Sequence, residues 1–259
     1  MCEKIKNKLN TGFIGKRIIS VEQTDSTNSL AKRENEKENG TVFIASRQTN
    51  GRGRNGRKWI SSNDDGLWMS ILLKPMILPQ KLSALTLLAG LCVVKVLREK
   101  YGADAFVKWP NDIVLSQKKL GGILCESAFE GDSVSYAIVG IGINLFCESF
   151  DKEIENIACS LYAECGNRVE RETICADILN LFEQMYTEFL KSGINAFLPE
   201  YKKYCITLEK EIKVIKNGEE QKAVAKDITP NGELIIETEK GVFPVISGEV
   251  CVRGLFGYV

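Results

Sequence analysis

Residues 47–59 read RQTNGRGRNGRKW and place five cationic side chains and three glycines within thirteen positions of a chain that carries no net charge. The glycines free the backbone to take positive φ and to approach a ligand closely, while Arg52, Arg54 and Arg57 project charge from the same loop. Phosphate or carboxylate is the guest such a loop suits. A Gly-Arg run also reads as an RGG-like nucleic-acid contact or a solvated loop. Here GTVFIASRQ precedes it and GLWMSILL follows it, and strands on both sides anchor it in a fold. A second group lies in KWPNDIVLSQKKLGGIL, where Lys108, Asn111, Asp112 and Lys119 combine an amide and a carboxylate with two ammonium groups. Asn and Asp can hold Mg²⁺ on phosphate oxygens while lysines neutralise the remaining charge. WPND equally reads as a strand-terminating turn, and Lys119 before GG as the end of a hairpin. In GIGINL, Gly140 and Gly142 sit in a strand, where glycine is unfavourable unless something lies against the backbone. A flat ligand or a tight helix crossing meets that need. The stretch is no GxGxxG dinucleotide loop, since no helix opens at it.

The remaining residues must position these groups. A chain of 259 residues with 44% hydrophobic content is long enough for one sizeable core and a smaller companion domain. It contains no histidine, which excludes Ser-His and Cys-His nucleophile pairs and most catalytic zinc sites. Its nine cysteines are scattered, without a CxxC pair, and read as reduced and mostly buried. Thirty-four basic residues balance thirty-four acidic ones, so no broad basic surface points to nucleic acid. The longest nearly apolar run, residues 84–94, falls short of the about 20 needed to cross a bilayer, and residues 1–14 are Lys-rich without a signal-peptide core. A cytoplasmic protein without a membrane partner is expected.

Pattern predicts a strand over residues 17–21, a capping turn at TDSTN, a helix over 29–37, and strands at GTVFIAS and GLWMSILLK. After Pro79, apolar positions Leu82, Leu85, Ala89, Cys92, Val93 and Val96 mark one face of a helix ending near Gly102. AFVKWPNDIVL, KKLGGILCESAF and VSYAIVGIGINLF read as three or four paired strands, and residues 171–204 return to helical periodicity. The last fifty-odd residues carry the short strands EIKVIK, QKAVAKDI, ELIIET, GVFPVI and EVCVR, separated by turn-forming segments, which predicts a small barrel. The boundary falls near Cys205, giving units of 1–204 and 205–259. Only about fifteen residues precede the first strand, too few for a helix-turn-helix domain.

In their order, STN, RQTNGRGRNGRKW, KWPNDI, KLGGIL, GIGIN and the late GEVCVR closely resemble the biotin protein ligases, over almost the whole chain from about Ile18. The resemblance is to the form that lacks the DNA-binding domain of the bifunctional ligase-repressors. It implies an α+β fold: a mixed, largely antiparallel sheet with flanking helices, as in the class II synthetase-like biotin/lipoate ligase domain, followed by a small SH3-like β-barrel. It implies ATP, Mg²⁺ and biotin as the small-molecule partners. The activity the resemblance implies has two steps: biotin's carboxylate attacks the α-phosphate of ATP to give biotinyl-5′-adenylate, and an acceptor lysine then takes the biotinyl group. Bringing a carboxylate onto a polyphosphate sets like charges together, which is the chemical use of the Arg-rich loop.

Carried over by resemblance, Ser26, Thr27, Asn28 and Gln48 surround the biotin ureido ring, with Arg52, Gly53 and Arg54 contributed by the loop. Thr27 and Asn28 also suit a helix cap, and the two roles are compatible. Lys119 meets the biotin carboxylate and then the phosphoryl oxygens, with Gly122 offering backbone contact; Lys119, Arg54 and Arg57 are the expected catalytic side chains. Arg54, Arg57, Lys108, Asn144 and Arg253 are the expected nucleotide contacts, and Asn111 and Asp112 the metal site. Some relatives place a tryptophan after the GIN strand as a shelf for adenine. Here the last tryptophan is Trp109, leaving Phe146 or Ile157 as substitutes. The implied acceptor is the biotin carboxyl carrier domain of a carboxylase; no nucleic-acid partner is expected, and the protein is a monomer or homodimer. The competing readings are a lipoate-protein ligase, which shares reaction and fold, and a non-catalytic biotin or nucleotide sensor. An RNA-binding protein is disfavoured by the neutral charge. A loop that admits two substrates and then seals a reactive acyl-adenylate should order on filling, over roughly residues 50–58.

Overall fold

The structure is a computed structural model that describes every residue except Ser62, Asn167, Asn217, residues 255–257 and Val259. A short helix α1 (Cys2–Lys6) precedes β1 (Ile18–Thr24), α2 (Thr27–Arg33), β2 (Val42–Gln48) and β3 (Gly66–Leu73). Helix α3 (Leu82–Tyr101) leads to β4 (Phe106–Lys108), β5 (Asp112–Leu115), β6 (Lys118–Glu130) and β7 (Ser133–Asn144). Helices α4 (Leu161–Cys165), α5 (Arg171–Ser192) and α6 (Leu198–Lys203) follow. The chain then forms β8 (Glu211–Lys216), β9 (Glu219–Ile228), β10 (Leu234–Thr238), β11 (Gly241–Val245) and β12 (Cys251–Gly254).

Seven strands make one sheet in the order β1-β2-β3-β7-β6-β5-β4. Only β1 and β2 run parallel; the other neighbours are antiparallel, as the expected mixed sheet requires. Strand β3 is buried at every position, because both faces of the sheet are covered. On one face Leu67, Met69, Ile71, Ile141 and Ile143 join the large core formed with α3 and α5. On the other, Phe43, Leu72 and Ile138 pack with Ala31 of α2 in a smaller cluster. Helix α3 is apolar nearly all round and long enough by composition to cross a bilayer, yet twelve of its residues are buried in this core. It stops where Gly102 takes φ 65° and its N–H returns to the carbonyl of Leu97.

Helix α2 begins two residues earlier and ends four earlier than the sequence pattern predicts. Ser26 is the N-cap, its side chain accepting from Ser29 N at 3.0 Å, so Thr27 and Asn28 lie inside the first turn. At the far end Glu34 is extended (ψ 127°) and Lys37 Nζ donates to the carbonyl of Lys32, which closes the helix.

The second sheet corrects the expected barrel. Its five antiparallel strands run β11-β10-β9-β8-β12, and among the described residues β11 and β12 remain open edges, without a pairing that closes the sheet. Pro244 lacks an N–H, and β12 is four residues long, so neither strand offers a full ladder to the other. This sheet is fastened to the first around Trp109, whose backbone N–H donates to Thr207 Oγ1 at 2.9 Å and whose indole N–H donates to the carbonyl of Gly232 at 3.0 Å. All nine cysteines are free, as expected, and five are buried; burial pushes the thiols of Cys125 and Cys175 up to about 12.

Candidate active site

Strand register builds the site. In antiparallel pairs, residues directly opposite share a face, so Asp112, Gly122, Gly142 and Trp68 form one row across β5, β6, β7 and β3. Leu124, Gly140 and Ser70 form the next. These rows lie on the α2 face, where Gly140 and Gly142 let other groups lie against the backbone. A Cβ on Gly142 would stand 3.0 Å from the indole nitrogen of Trp59, and one on Gly140 would stand 2.3 Å from Asn28 Oδ1. The flat groups lying on the GIGIN strand are therefore an indole and an amide of the protein itself. Gly140→Ala is expected to expel the Asn28 amide and lower stability by about 2–4 kcal/mol in urea denaturation. A loss below about 0.5 kcal/mol would sink this account of Gly140.

Asn28 is held on three sides: Oδ1 accepts from the Ser70 hydroxyl at 2.6 Å, and Nδ2 donates to the carbonyl of Leu124 at 3.2 Å and to Glu126 Oε2 at 2.8 Å. Gln48 Oε1 accepts from the backbone N–H of Thr27 at 2.8 Å, and Gln48 Nε2 donates to Ser61 Oγ at 2.9 Å. Ser26, Thr27, Asn28 and Gln48 are buried and form a polar lining at one end of the cleft, with Ser70 fully buried behind them. Glu126 also pairs with Lys32 at 2.6 Å at its rim.

The Gly-Arg loop crosses above. Gly53 N donates to the carbonyl of Arg57 at 2.7 Å, Trp59 N to that of Gly51 at 2.9 Å, and Asn55 and Gly56 take positive φ at its tip. Arg52 and Arg57 are exposed, while Arg54 is half-buried and donates through Nη1 to Asn111 Oδ1 at 3.2 Å. Its Nη2 is buried without a partner among the described residues, and burial lowers its pKa against the pull of Asp112. Below it Lys119 Nζ pairs with Asp112 Oδ1 at 2.6 Å, and Gly122 leaves room for the pair. Lys119 is set by main-chain bonds to Ile157 at 2.7 Å and Cys159 at 2.9 Å.

Of the sequence-predicted residues, the structure lines one cleft with Ser26, Thr27, Asn28, Gln48, Arg52, Gly53, Arg54, Arg57, Asn111, Asp112, Lys119 and Gly122. Three lie outside its open lining. Lys108 is 7% exposed beneath Tyr258. Burial lowers its pKa to about 8, against Asp112, with Lys119, Arg253 and Arg57 adding to the fall. Asn144 is buried and ties β7 to the carbonyl of Cys159 at 3.1 Å, and Arg253 is exposed on β12. Phe146 packs against the large core, and Ile157 meets Lys119 through its main chain. The aromatic wall of the cleft is Trp59, edge-on to Trp68 with ring centroids 6.1 Å apart.

Sequence reasoning missed four contributors. Ser70 is the lone polar residue in an otherwise apolar buried strand, a signal present in GLWMSILL. Trp59 closes the RQTNGRGRNGRKW stretch, where an aromatic residue among cations and glycines is the signal for a wall of the cleft. Glu126 and Tyr258 gain their places only from tertiary contacts.

For a divalent cation, Asp112 is the one carboxylate in the cleft lining, and the described residues contain no cluster of three acidic or Cys ligands. Asn111 Oδ1 is taken by Arg54, and Asn111 Nδ2 donates to the carbonyl of Ile123 at 3.0 Å. This fits Mg²⁺ carried largely by phosphate oxygens with one protein carboxylate, not a protein cage.

A lysine-carboxylate pair beneath a cationic loop, with a buried polar lining at the other end, gives the cleft the means to hold a carboxylate beside a polyphosphate. The model of the Biotin/lipoate A/B protein ligase family matches residues 20–144, and that of the Biotin protein ligase C terminal domain matches residues 207–253. The bifunctional ligase/repressor BirA of Bacillus subtilis is 33% identical over 251 residues, 95% of this chain and 77% of its own length. The biotin--[acetyl-CoA-carboxylase] ligase of Mycobacterium tuberculosis is 28% identical over 93% of this chain and 91% of its own. The biotin protein ligase of Aquifex aeolicus, solved in complex with biotin and ATP, superposes with a TM-score of 0.82 at 32% identity, covering 92% of this chain and 99% of that one. The chain belongs to the biotin/lipoate A/B protein ligase family, and within it to the biotin protein ligases.

Proposed function

We propose that this protein activates biotin with ATP and transfers it to a lysine of a biotin carboxyl carrier domain. The observation that carries the reading is the Lys119–Asp112 pair set beneath Arg54, a half-buried guanidinium with one buried, unpartnered nitrogen, in a chain 92% of which superposes on a ligase solved with biotin and ATP. In the first step the biotin carboxylate forms a bond to the α-phosphorus and the bond to pyrophosphate breaks. Lys119 and Arg54 face the developing charge, and Arg57 and Lys108 the departing pyrophosphate. In the second, the acceptor amine attacks the acyl carbon, AMP leaves, and the amine's proton passes to Asp112 or to water. A divalent cation, when bound, neutralises phosphate charge, and Asp112 would hold it.

The polar lining from Ser26 to Gln48 is assigned to the ureido end of biotin, and Trp59, in place of Phe146 or Ile157, to the base of the nucleotide. Asn28 and Gln48 reach that lining already fixed by protein hydrogen bonds, so they present a set geometry. We assign residues 1–204 to catalysis and 205–259 to a C-terminal unit. The setting is the cytoplasm, and the protein acts as a monomer or homodimer. A lipoate substrate is disfavoured because the C-terminal match is to biotin protein ligases.

Pyrophosphate exchange into ATP tests the reading without any acceptor. Exchange that requires biotin and is untouched by excess lipoate supports it; exchange driven by lipoate, or biotin binding without exchange, replaces it by the lipoate or sensor reading. Biotin plus ATP should also slow amide exchange over residues 50–58 by about tenfold or more as the loop closes. Identical exchange with and without substrates would refute the closure.

A further inference from the structure

Tyr258 reaches into the phosphate end of the cleft from four positions beyond the end of β12. Its phenol donates to Asp112 Oδ2 at 2.5 Å while Lys119 holds Asp112 Oδ1 at 2.6 Å. Its carbonyl accepts from Lys108 Nζ, and that ammonium lies 4.0 Å from the centroid of its ring. One residue thus supplies a donor to the carboxylate and both an acceptor and a π-face to the buried cation.

These are the needs a metal-bound nucleoside triphosphate would meet at the same atoms. Phosphate oxygens would take Lys108, and a divalent cation would take an oxygen of Asp112. Both oxygens of Asp112 are already engaged, so Tyr258 and the metal-nucleotide compete for one place. Without an anion, Lys108 sits 7% exposed in a region also populated by Lys119, Arg57 and Arg253. A neutral phenol and a carbonyl there let the site stay folded and desolvated while empty. We infer that Tyr258 is a stand-in for the metal-nucleotide, exchanged for it at the Lys108–Asp112 end of the cleft. The inference rests on the nucleotide assignment made above.

A competitor inside the site lowers apparent affinity by the fraction of time it is absent. Calorimetric binding of Mg²⁺ with α,β-methylene-ATP to the full chain is the test, using wild type, Tyr258→Phe and Tyr258→Ala. Tyr258→Ala should bind about five- to tenfold more tightly, and Tyr258→Phe should fall between, since it keeps the ring but loses the donor, while both variants retain the main-chain carbonyl. Biotin binding alone should be equal in all three. With 3-fluorotyrosine incorporated, the fluorine resonance missing from Tyr258→Phe should shift on adding the nucleotide and not on adding biotin. Equal or weaker nucleotide binding by Tyr258→Ala, or a resonance that does not move, overturns the stand-in and leaves the ligase reading intact. Failure of every variant, wild type included, to bind the nucleotide overturns both.

Discussion

Lys119→Ala should reduce biotin-dependent pyrophosphate exchange by about 10²–10³-fold, the range for removing one preorganised donor aimed at developing charge. Lys119 is fixed by β-bridge bonds to the 157–159 segment and by its 2.6 Å pair with Asp112, so the ammonium is held before substrate arrives. Arg54 faces the same charge, but one of its nitrogens is committed to Asn111, so it supports Lys119 without duplicating its position. The fold should tolerate the change, because Asp112 keeps its bond to Tyr258 and is partly open to water. Measured exchange within tenfold of wild type would remove Lys119 from the reaction and leave it a rim ion pair.

Arg54→Ala is the second large effect. A charge-assisted hydrogen bond contributes about 1.5–3 kcal/mol, so losing the one aimed at phosphate should weaken binding of the magnesium-nucleotide by about 10–150-fold. Biotin binding should change far less. The unpartnered Nη2 carries the argument: a buried donor without an acceptor is unfavourable unless a ligand completes it. Arg54→Lys should not restore affinity, because an ammonium cannot bond Asn111 and an anion from the two arms of one planar fork. Titration of the nucleotide by calorimetry decides it, and an Arg54→Lys variant with wild-type affinity would show that charge alone is needed.

Much of this was legible in the chain before its coordinates. The paired strands from Phe106 to Asn144 follow from alternation and turns, and helix α3 from its apolar spacing and Gly102. The twelve residues gathered in the cleft were named by resemblance, and the register of β5, β6, β7 and β3 brings them onto one face. What was not legible depended on side-chain bonds and strand edges that periodicity does not carry. The end of α2 is set by Lys37 folding back on a carbonyl, which no propensity encodes. Among the described residues the second sheet stays open between β11 and β12, two short edge strands, one of them carrying Pro244. Gly140 and Gly142 announced a close approach, but only the fold reveals that Asn28 and Trp59 are what approaches. Tyr258 had no local signature at all, since a tyrosine after a final strand becomes informative only when Asp112 and Lys108 are found against it.

The double fastening of Trp109 has an engineering corollary. Lys108, on one side of that residue, and Asn111 and Asp112, just beyond it, ride on a segment pinned to Thr207, ahead of β8, and to Gly232, in the turn between β9 and β10. The two hydrogen bonds tie the segment carrying these proposed phosphate and metal contacts to the start and one turn of the C-terminal unit. A chimera carrying a relative's C-terminal sheet would be misaligned at its phosphate-handling groups unless the graft reproduced the hydroxyl at 207 and the carbonyl at 232, however well its own strands folded.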